Sequence, residues 1–254
     1  LMRSSAASYV YKRQVKNTIA PLRNVALLNE LVYRVKNRDY GLPGMATFYG
    51  FSGYGKTFAA IYAANKHKAY HVQVKSVWTP KKLCASILGE MGIQPAYTIP
   101  DMMDQIGEEL SLSQRPLIID EADFLVQKRM IEVVRDIYES SQATIILIGE
   151  EAMPVKLQKW ERVHGRMLDW VAAQPASIDD VKHLAKLYAN GVTVEQDLCE
   201  KILKESAGSV RRVCVNLDRV REFATTKGLK TVGSADYQRD FFTGVPPMAR
   251  KAGL

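Results

Sequence analysis

Eight residues, Gly50 to Thr57 (GFSGYGKT), constrain this chain of 254 residues more than any other feature. They follow the apolar run Met45 to Tyr49 and lead into helically spaced apolar residues between Lys56 and Asn65. Glycines in such a run let the backbone curl so that successive N–H groups point at one place, and the positive end of the following helix aims there too. Strand, glycine turn and helix in this order predict a cradle for phosphate. Gly50, Ser52, Gly53 and Gly55 would form its wall. Lys56 would reach the β- and γ-phosphates of a nucleotide such as ATP, and the Thr57 hydroxyl would ligate Mg²⁺.

A second run, Leu117 to Asp123 (LIIDEAD), reads as a buried strand ending in acids. Asp120 emerges where it can hold the Mg²⁺ shell, and Glu121 beside it is placed to polarise an attacking water as general base. Between the two motifs lies one further strand, Ala69 to Val74, which sets the pattern apart from small-molecule kinases. Trp160 to Met167 (WERVHGRM) follows a fourth strand, and Arg162 or Arg166 is a candidate arginine finger for a neighbour's nucleotide; the sequence does not choose between them. Gly208 to Arg212 (GSVRR) opens a late helix, either as a basic turn or as an arginine folding onto the nucleotide.

Around these motifs the chain alternates strands and helices. Asn24 to Arg38 has a helical stripe, and Gly41, Pro43 and Gly44 break it. Met45–Tyr49, 69–74, 117–120 and 144–148 read as strands. Thr79-Pro80 starts a helix that Gly92 stops, and another helix covers about 127–140. This spacing predicts an α/β fold with a mainly parallel sheet flanked by helices. Beyond Pro175 only helices are expected: 178–188, with Ser177 and Asp180 as capping box, then 194–206, 210–226 and 235–242. The expected organisation is a basic arm (1–22), an α/β core (23–174) and a small helical lid (175–254).

The net charge is +8, and its distribution matters more than its size. Residues 1–29 carry Arg3, Lys12, Arg13, Lys16 and Arg23 and no acid; residues 40–89 carry Lys56, Lys66, Lys68, Lys75, Lys81 and Lys82, again without an acid. Two acid-free stretches point to a polyanionic partner, against the plainer reading of a solvated face. Cys84, Cys199 and Cys214 are widely spaced, which argues for a reducing compartment and against structural zinc. His67 and His71 stand four apart, but Lys68 occupies the place of a zinc protease's glutamate. No apolar run approaches the roughly 20 residues of a membrane span.

In this order the loop, the acid pair, the arginine-bearing stretch and GSVRR resemble an AAA+ ATPase over about residues 24–242. Within that superfamily, Val74 to Ile93 and the compact lid are similar to the transposition ATPases, the phage Mu B and TnsC kind. The resemblance makes Arg211 the lid sensor, with Arg212 in reserve. It departs at the polar sensor after the fourth strand, where this chain has Gly149-Glu150-Glu151. A carboxylate there would repel the γ-phosphate unless screened. About 12 residues follow Phe242, too few for the winged-helix domain of initiator relatives, so DNA contacts are expected on the arm or the core.

The resemblance implies an ATP-dependent protein that assembles with itself on double-stranded DNA as a filament, marks target sites and stimulates a transposase. It implies a cytoplasmic location in a bacterium or a phage-infected host, and no membrane. The DNA-contact candidates are Lys75, Ser76, Thr79, Lys81 and Lys82, with a solvated helix start as the plainer reading. A helicase or initiator loader is the alternative, and a regulatory AAA+ switch acting only on proteins is a third.

Overall fold

The computed structural model describes residues 22–245. The basic arm expected at 1–22 lies, but for Leu22, outside the described residues. The described residues form two compact units, 23–174 and 175–245, with Leu22 belonging to the second.

In the first unit five strands form one sheet: β1 (Met45–Tyr49), β2 (Tyr70–Gln73), β3 (Leu117–Asp120), β4 (Ile145–Gly149) and β5 (Met167–Ala172). Their order is β2-β3-β4-β1-β5, and every pairing is parallel. Such a sheet is covered on both faces, so its inner strands are apolar throughout rather than alternating; β3 and β4 are buried at every position. On one face Met45, Leu117, Ile119, Ile145 and Leu147 pack with Leu83 and Ile87 of α3 (Pro80–Met91), Ile106 and Leu110 of α4 (Ile99–Ser113), and Val134 and Ile137 of α6 (Ile131–Ser141). Each such side chain contributes about 1.5–3 kcal/mol through burial. Two further helices, α1 (Arg23–Lys36) and α2 (Lys56–His67), pack against each other, and α1 also contacts β1 and β5. Short helices α5 (Asp123–Gln127), α7 (Met153–Gln158) and α8 (Glu161–His164) follow β3 and β4.

Helix α3 starts as its sequence requires: the Thr79 hydroxyl accepts the Lys82 N–H, Pro80 stands in the first turn, and Gly92 ends the helix at φ 77°. The expected helix 127–140 begins later, at Ile131. Arg129 adopts a left-handed φ of 57°, which separates α5 from α6. Neither α4 nor β5 was expected. Strand β5 pairs only with β1 at the sheet edge and is half-buried throughout, so it lacks the apolar run of its neighbours.

The second unit contains α9 (Ile178–Tyr188), α10 (Gln196–Glu205) and α11 (Val210–Lys227). Ser177 and Asp180 form the expected capping box. The unit is not purely helical: Thr193–Val194 (β6) and Thr231–Val232 (β7) form a two-stranded parallel pair. Residues 235–242 are turns and irregular chain, not the expected helix. Tertiary contacts hold them: buried Asn216 donates to the Phe242 carbonyl (3.2 Å) and accepts the Phe242 N–H (2.7 Å), while Tyr237 packs edge-on against Phe223. Side-chain bonds of this kind satisfy backbone groups that a helix would have paired internally.

Candidate functional site

The turn after β1 has the shape that its glycines foretell. Gly53 and Gly55 take φ of 87° and 81°, which side chains rarely adopt, so the chain can curl into α2. Helix α2 has no side-chain cap and no acid in its first turn. Helices α3, α4, α9 and α11 each begin with a Thr or Ser that accepts a first-turn N–H. The uncapped start of α2, preceded by curled glycines, is suited to an anion. Buried Asn24 fixes the loop from α1: its amide donates to the carbonyls of Tyr54 (2.8 Å) and Gln174 (2.7 Å) and accepts the Gln174 N–H (2.8 Å). No local pattern marks an asparagine for this task, since its partners lie 30 and 150 residues away.

Lys56 lies across the loop, its Nζ donating to the carbonyls of Gly50 (2.6 Å) and Phe51 (2.9 Å). Burial lowers its pKa, against the attraction of Asp120, Glu121, Asp123 and Glu151, which raises it. The lysine and these acids therefore occupy one neighbourhood. Ser52 is exposed at the rim, and Gly50 donates its N–H to Gly149 at the end of β4 (3.2 Å).

Asp120 ends β3 at 2% exposure. Burial raises its pKa, opposed by the Thr57 hydroxyl, the Glu121 N–H and Lys56. Its Oδ1 accepts the Glu121 N–H at 2.9 Å, while Oδ2 is buried with no hydrogen-bond partner among the described residues. Such an orphaned oxygen carries a desolvation cost of about 1–3 kcal/mol. An anionic oxygen of this kind beside a threonine hydroxyl is a hard donor pair. The pair fits Mg²⁺, which binds through one or two protein oxygens together with substrate phosphates.

Glu121 has a left-handed φ of 57°, uncommon for a residue with a Cβ and costing on the order of 1–3 kcal/mol. Both flanks hold the turn: Val74 donates to the Asp120 carbonyl and Ala122 to that of Ile148, each at 2.9 Å. The Glu121 carboxyl is half-buried. Its pKa is raised, first by burial and then by Asp120, Asp123 and Glu150, with Lys56 opposing. A carboxyl shifted upward in this way is the better proton acceptor.

At the turn after β4, where a polar sensor was expected, Gly149 has no side chain, and Glu150 has its N–H on Asp123 (2.6 Å) and its carboxylate on Lys156 (3.4 Å). Asp123 and Lys156, missed in the sequence, pair at 2.8 Å from positions 33 residues apart. Of the arginine-finger candidates, Arg166 at the start of β5 is ion-paired with Glu139. Arg162 on α8 is exposed, and among the described residues no hydrogen bond or ion pair engages it. Arg211 is exposed in the first turn of α11, in the second unit, with Ser209 capping that helix through the Arg212 N–H.

The segment after β2 leaves the same edge of the sheet as the phosphate loop, since all strands are parallel. Lys75, Ser76, Thr79, Lys81 and Lys82 are all exposed. The Thr79 hydroxyl is occupied as a helix cap, so of the five it is the least available to a partner. Half-buried Trp78 packs against the core, Lys128 donates to its carbonyl at 3.2 Å, and Lys81 lies 4.6 Å from the exposed Tyr97 ring.

The five-stranded order, the phosphate loop after β1 and the acid pair after β3 are those of a P-loop AAA+ core. Residues 39–156 match a family model described as an AAA domain. The match covers less than half of the chain and lies within the first unit. Solved structures with the same fold include the ORC1 protein of Aeropyrum pernix in complex with DNA, at 19% identity and TM-score 0.60 over 82% of this chain and 61% of that one. Cdc6p from Pyrobaculum aerophilum matches at 14% identity and TM-score 0.59, over 86% of this chain and 67% of the other. The RuvB Holliday junction branch migration motor of Thermotoga maritima matches at 20% and 0.56, over 84% and 65%. The chain therefore spans 61% of the length of the ORC1 structure and 65% of that of the RuvB structure. No curated protein matches it in sequence. Among the described residues no helix is long and apolar enough to cross a membrane.

Proposed function

We propose that this AAA+ chain is a Mg²⁺-dependent ATPase that binds duplex DNA with little sequence preference and serves a transposition system. One observation carries the nucleotide part: Lys56, Thr57, Asp120 and Glu121 converge beside an uncapped helix start, with Asp120 Oδ2 unpaired among the described residues. The first N–H groups of α2 and the Lys56 ammonium hold the phosphates. Thr57 and Asp120 would hold Mg²⁺, which when bound supplies charge neutralisation to the phosphoryl oxygens. Glu121 takes a proton from the water whose oxygen bonds to the γ-phosphorus, while the bond to the β–γ bridging oxygen breaks and ADP leaves. Arg162, exposed and without a polar partner among the described residues, is the better candidate for reaching a neighbouring copy's nucleotide, and Arg211 is the lid arginine of this reading.

The DNA part rests on Lys75, Ser76, Lys81 and Lys82, which lie exposed in a stretch without acids. Phosphate contacts of this kind position a protein without reading bases. In this reading copies of the chain assemble on DNA with ATP, mark a target and stimulate a transposase. A replication initiator or loader is the second reading, favoured by the fold likeness to ORC1 and Cdc6p. Stimulation of strand transfer by a transposase supports the first; delivery of a helicase to DNA supports the second.

Converting Lys75, Lys81 and Lys82 together to alanine tests the DNA surface. Duplex affinity should fall about equally on unrelated sequences. The log–log slope of affinity against salt should become shallower by close to one unit per lost phosphate contact. ATP affinity should be unchanged, because none of the three lies in the phosphate loop. Wild-type DNA affinity and slope in the triple variant would overturn this surface, and deletion of residues 1–22 then asks whether the arm binds DNA instead.

A further inference from the structure

The turn after β4 holds a charge arrangement that the phosphate loop and acid pair do not account for. Gly149 lies beside Tyr49 in the sheet register and accepts the Gly50 N–H, so it borders the start of the loop. No side chain fits there: a Cβ on Gly149 would fall 2.1 Å from Met153 Sδ and 2.4 Å from Asp123 Oδ2. Glu150 and Glu151 come next, and both act on the site electrostatically, Glu150 at Glu121 and Glu151 at Lys56. With Asp120, Glu121 and Asp123, these carboxylates form one acidic neighbourhood around Lys56 and Glu121. Repulsion of that kind would fall most heavily on the terminal phosphate.

Lys156 of α7 is built into this cluster. Its Nζ lies 2.8 Å from Asp123 Oδ1 and 3.4 Å from Glu150 Oε2. The Asp123 side chain is 4% exposed, and its other oxygen accepts the Glu150 N–H. A buried carboxylate that loses its ion-pair partner is strongly destabilising. Glu150 differs, because its side chain is 57% exposed and has room to swing once released. The bond to Lys156 is therefore what holds the Glu150 carboxylate where it is.

We infer that Lys156 is a positioning residue, pinning Asp123 and Glu150 so that their charges stay turned from the terminal phosphate of the nucleotide. The role compensates for the glycine at the end of β4, which offers the phosphate no polar side chain. It rests on the ATPase reading above, and it is specific in its consequence: a triphosphate should feel the loss of Lys156 more than a diphosphate.

Equilibrium binding of ADP and of a non-hydrolysable ATP analogue to the full chain tests this, together with steady-state ATPase kinetics. Lys156→Met should weaken the analogue on the order of tenfold, the scale of one unit charge released near the phosphate. ADP affinity should change by less than about twofold. Lys156→Arg should stay near wild type. Adding Glu150→Gln to Lys156→Met should recover most of the lost affinity, a rescue that a merely structural lysine would not give. Should Lys156→Met fail to fold, Asp123→Asn with Lys156→Met removes the stranded buried charge, leaves Glu150 released and takes its place in the comparison. Unchanged binding of both nucleotides overturns the inference, as does an equal loss of both that Glu150→Gln leaves unrepaired. A wild-type chain that binds neither nucleotide overturns instead the reading of the site as a nucleotide site.

Discussion

Replacing Glu121 with glutamine is expected to slow ATP turnover by roughly 100-fold or more while ATP stays bound, the usual scale for losing a general base. The amide keeps the size of the carboxylate, so the left-handed turn at 57° and the bonds on either side of it should survive. It removes the only function that distinguishes Glu121 from its neighbour: Asp120 is held by Thr57 and the Glu121 N–H, whereas Glu121 faces the site half-buried. Phosphate release and binding of a fluorescent ATP analogue should therefore separate. Complexes on DNA should also live longer, because hydrolysis would no longer dismantle them. Turnover at the wild-type rate in this variant would remove Glu121 from the mechanism.

The second large effect is expected at Lys56. Lys56→Ala should weaken ATP binding by roughly 100-fold or more, the order expected when a buried charge-assisted contact is lost. Its ammonium spans the loop between the carbonyls of Gly50 and Phe51, and it is the cation that opposes Asp120, Glu121, Asp123 and Glu151. Without it Asp120 and Glu121 would lose the cation that opposes them. Wild-type affinity for ATP in the purified variant would mean that nucleotide binds elsewhere.

Both residues were legible in the sequence because their signals are local. A glycine turn between a strand and a helix, and an acid at the end of an apolar strand, are dictated by backbone conformation within a few residues. The parallel sheet and its flanking helices follow from the same alternation, although it yields four of the five strands and not their order. What escaped is tertiary. Asn24 acts on Tyr54 and Gln174, Asp123 on Lys156, and neither pair has a spacing that a pattern could reveal. Strand β5 escaped because an edge strand buries little and carries Asp169 and Trp170 among its apolar residues. Tyr237 and Phe241 stand four apart and mimic a helical stripe, but Asn216 pairs with the Phe242 backbone and the chain there is irregular. The glutamates after β4 looked like a threat to the γ-phosphate; the bond from Glu150 to Lys156 is a contact that only the fold supplies.

The association of nucleotide with DNA is tested most directly by the affinity of the wild-type chain for a fluorescent duplex of arbitrary sequence. Anisotropy would be followed with a non-hydrolysable ATP analogue, with ADP and without nucleotide. An ATPase that assembles on DNA should bind at least about tenfold tighter with the triphosphate than with ADP, a coupling of about 1.4 kcal/mol. The same ratio should appear on unrelated sequences. Duplex affinity that is equal under all three conditions, or no duplex binding under any of them, would contradict it.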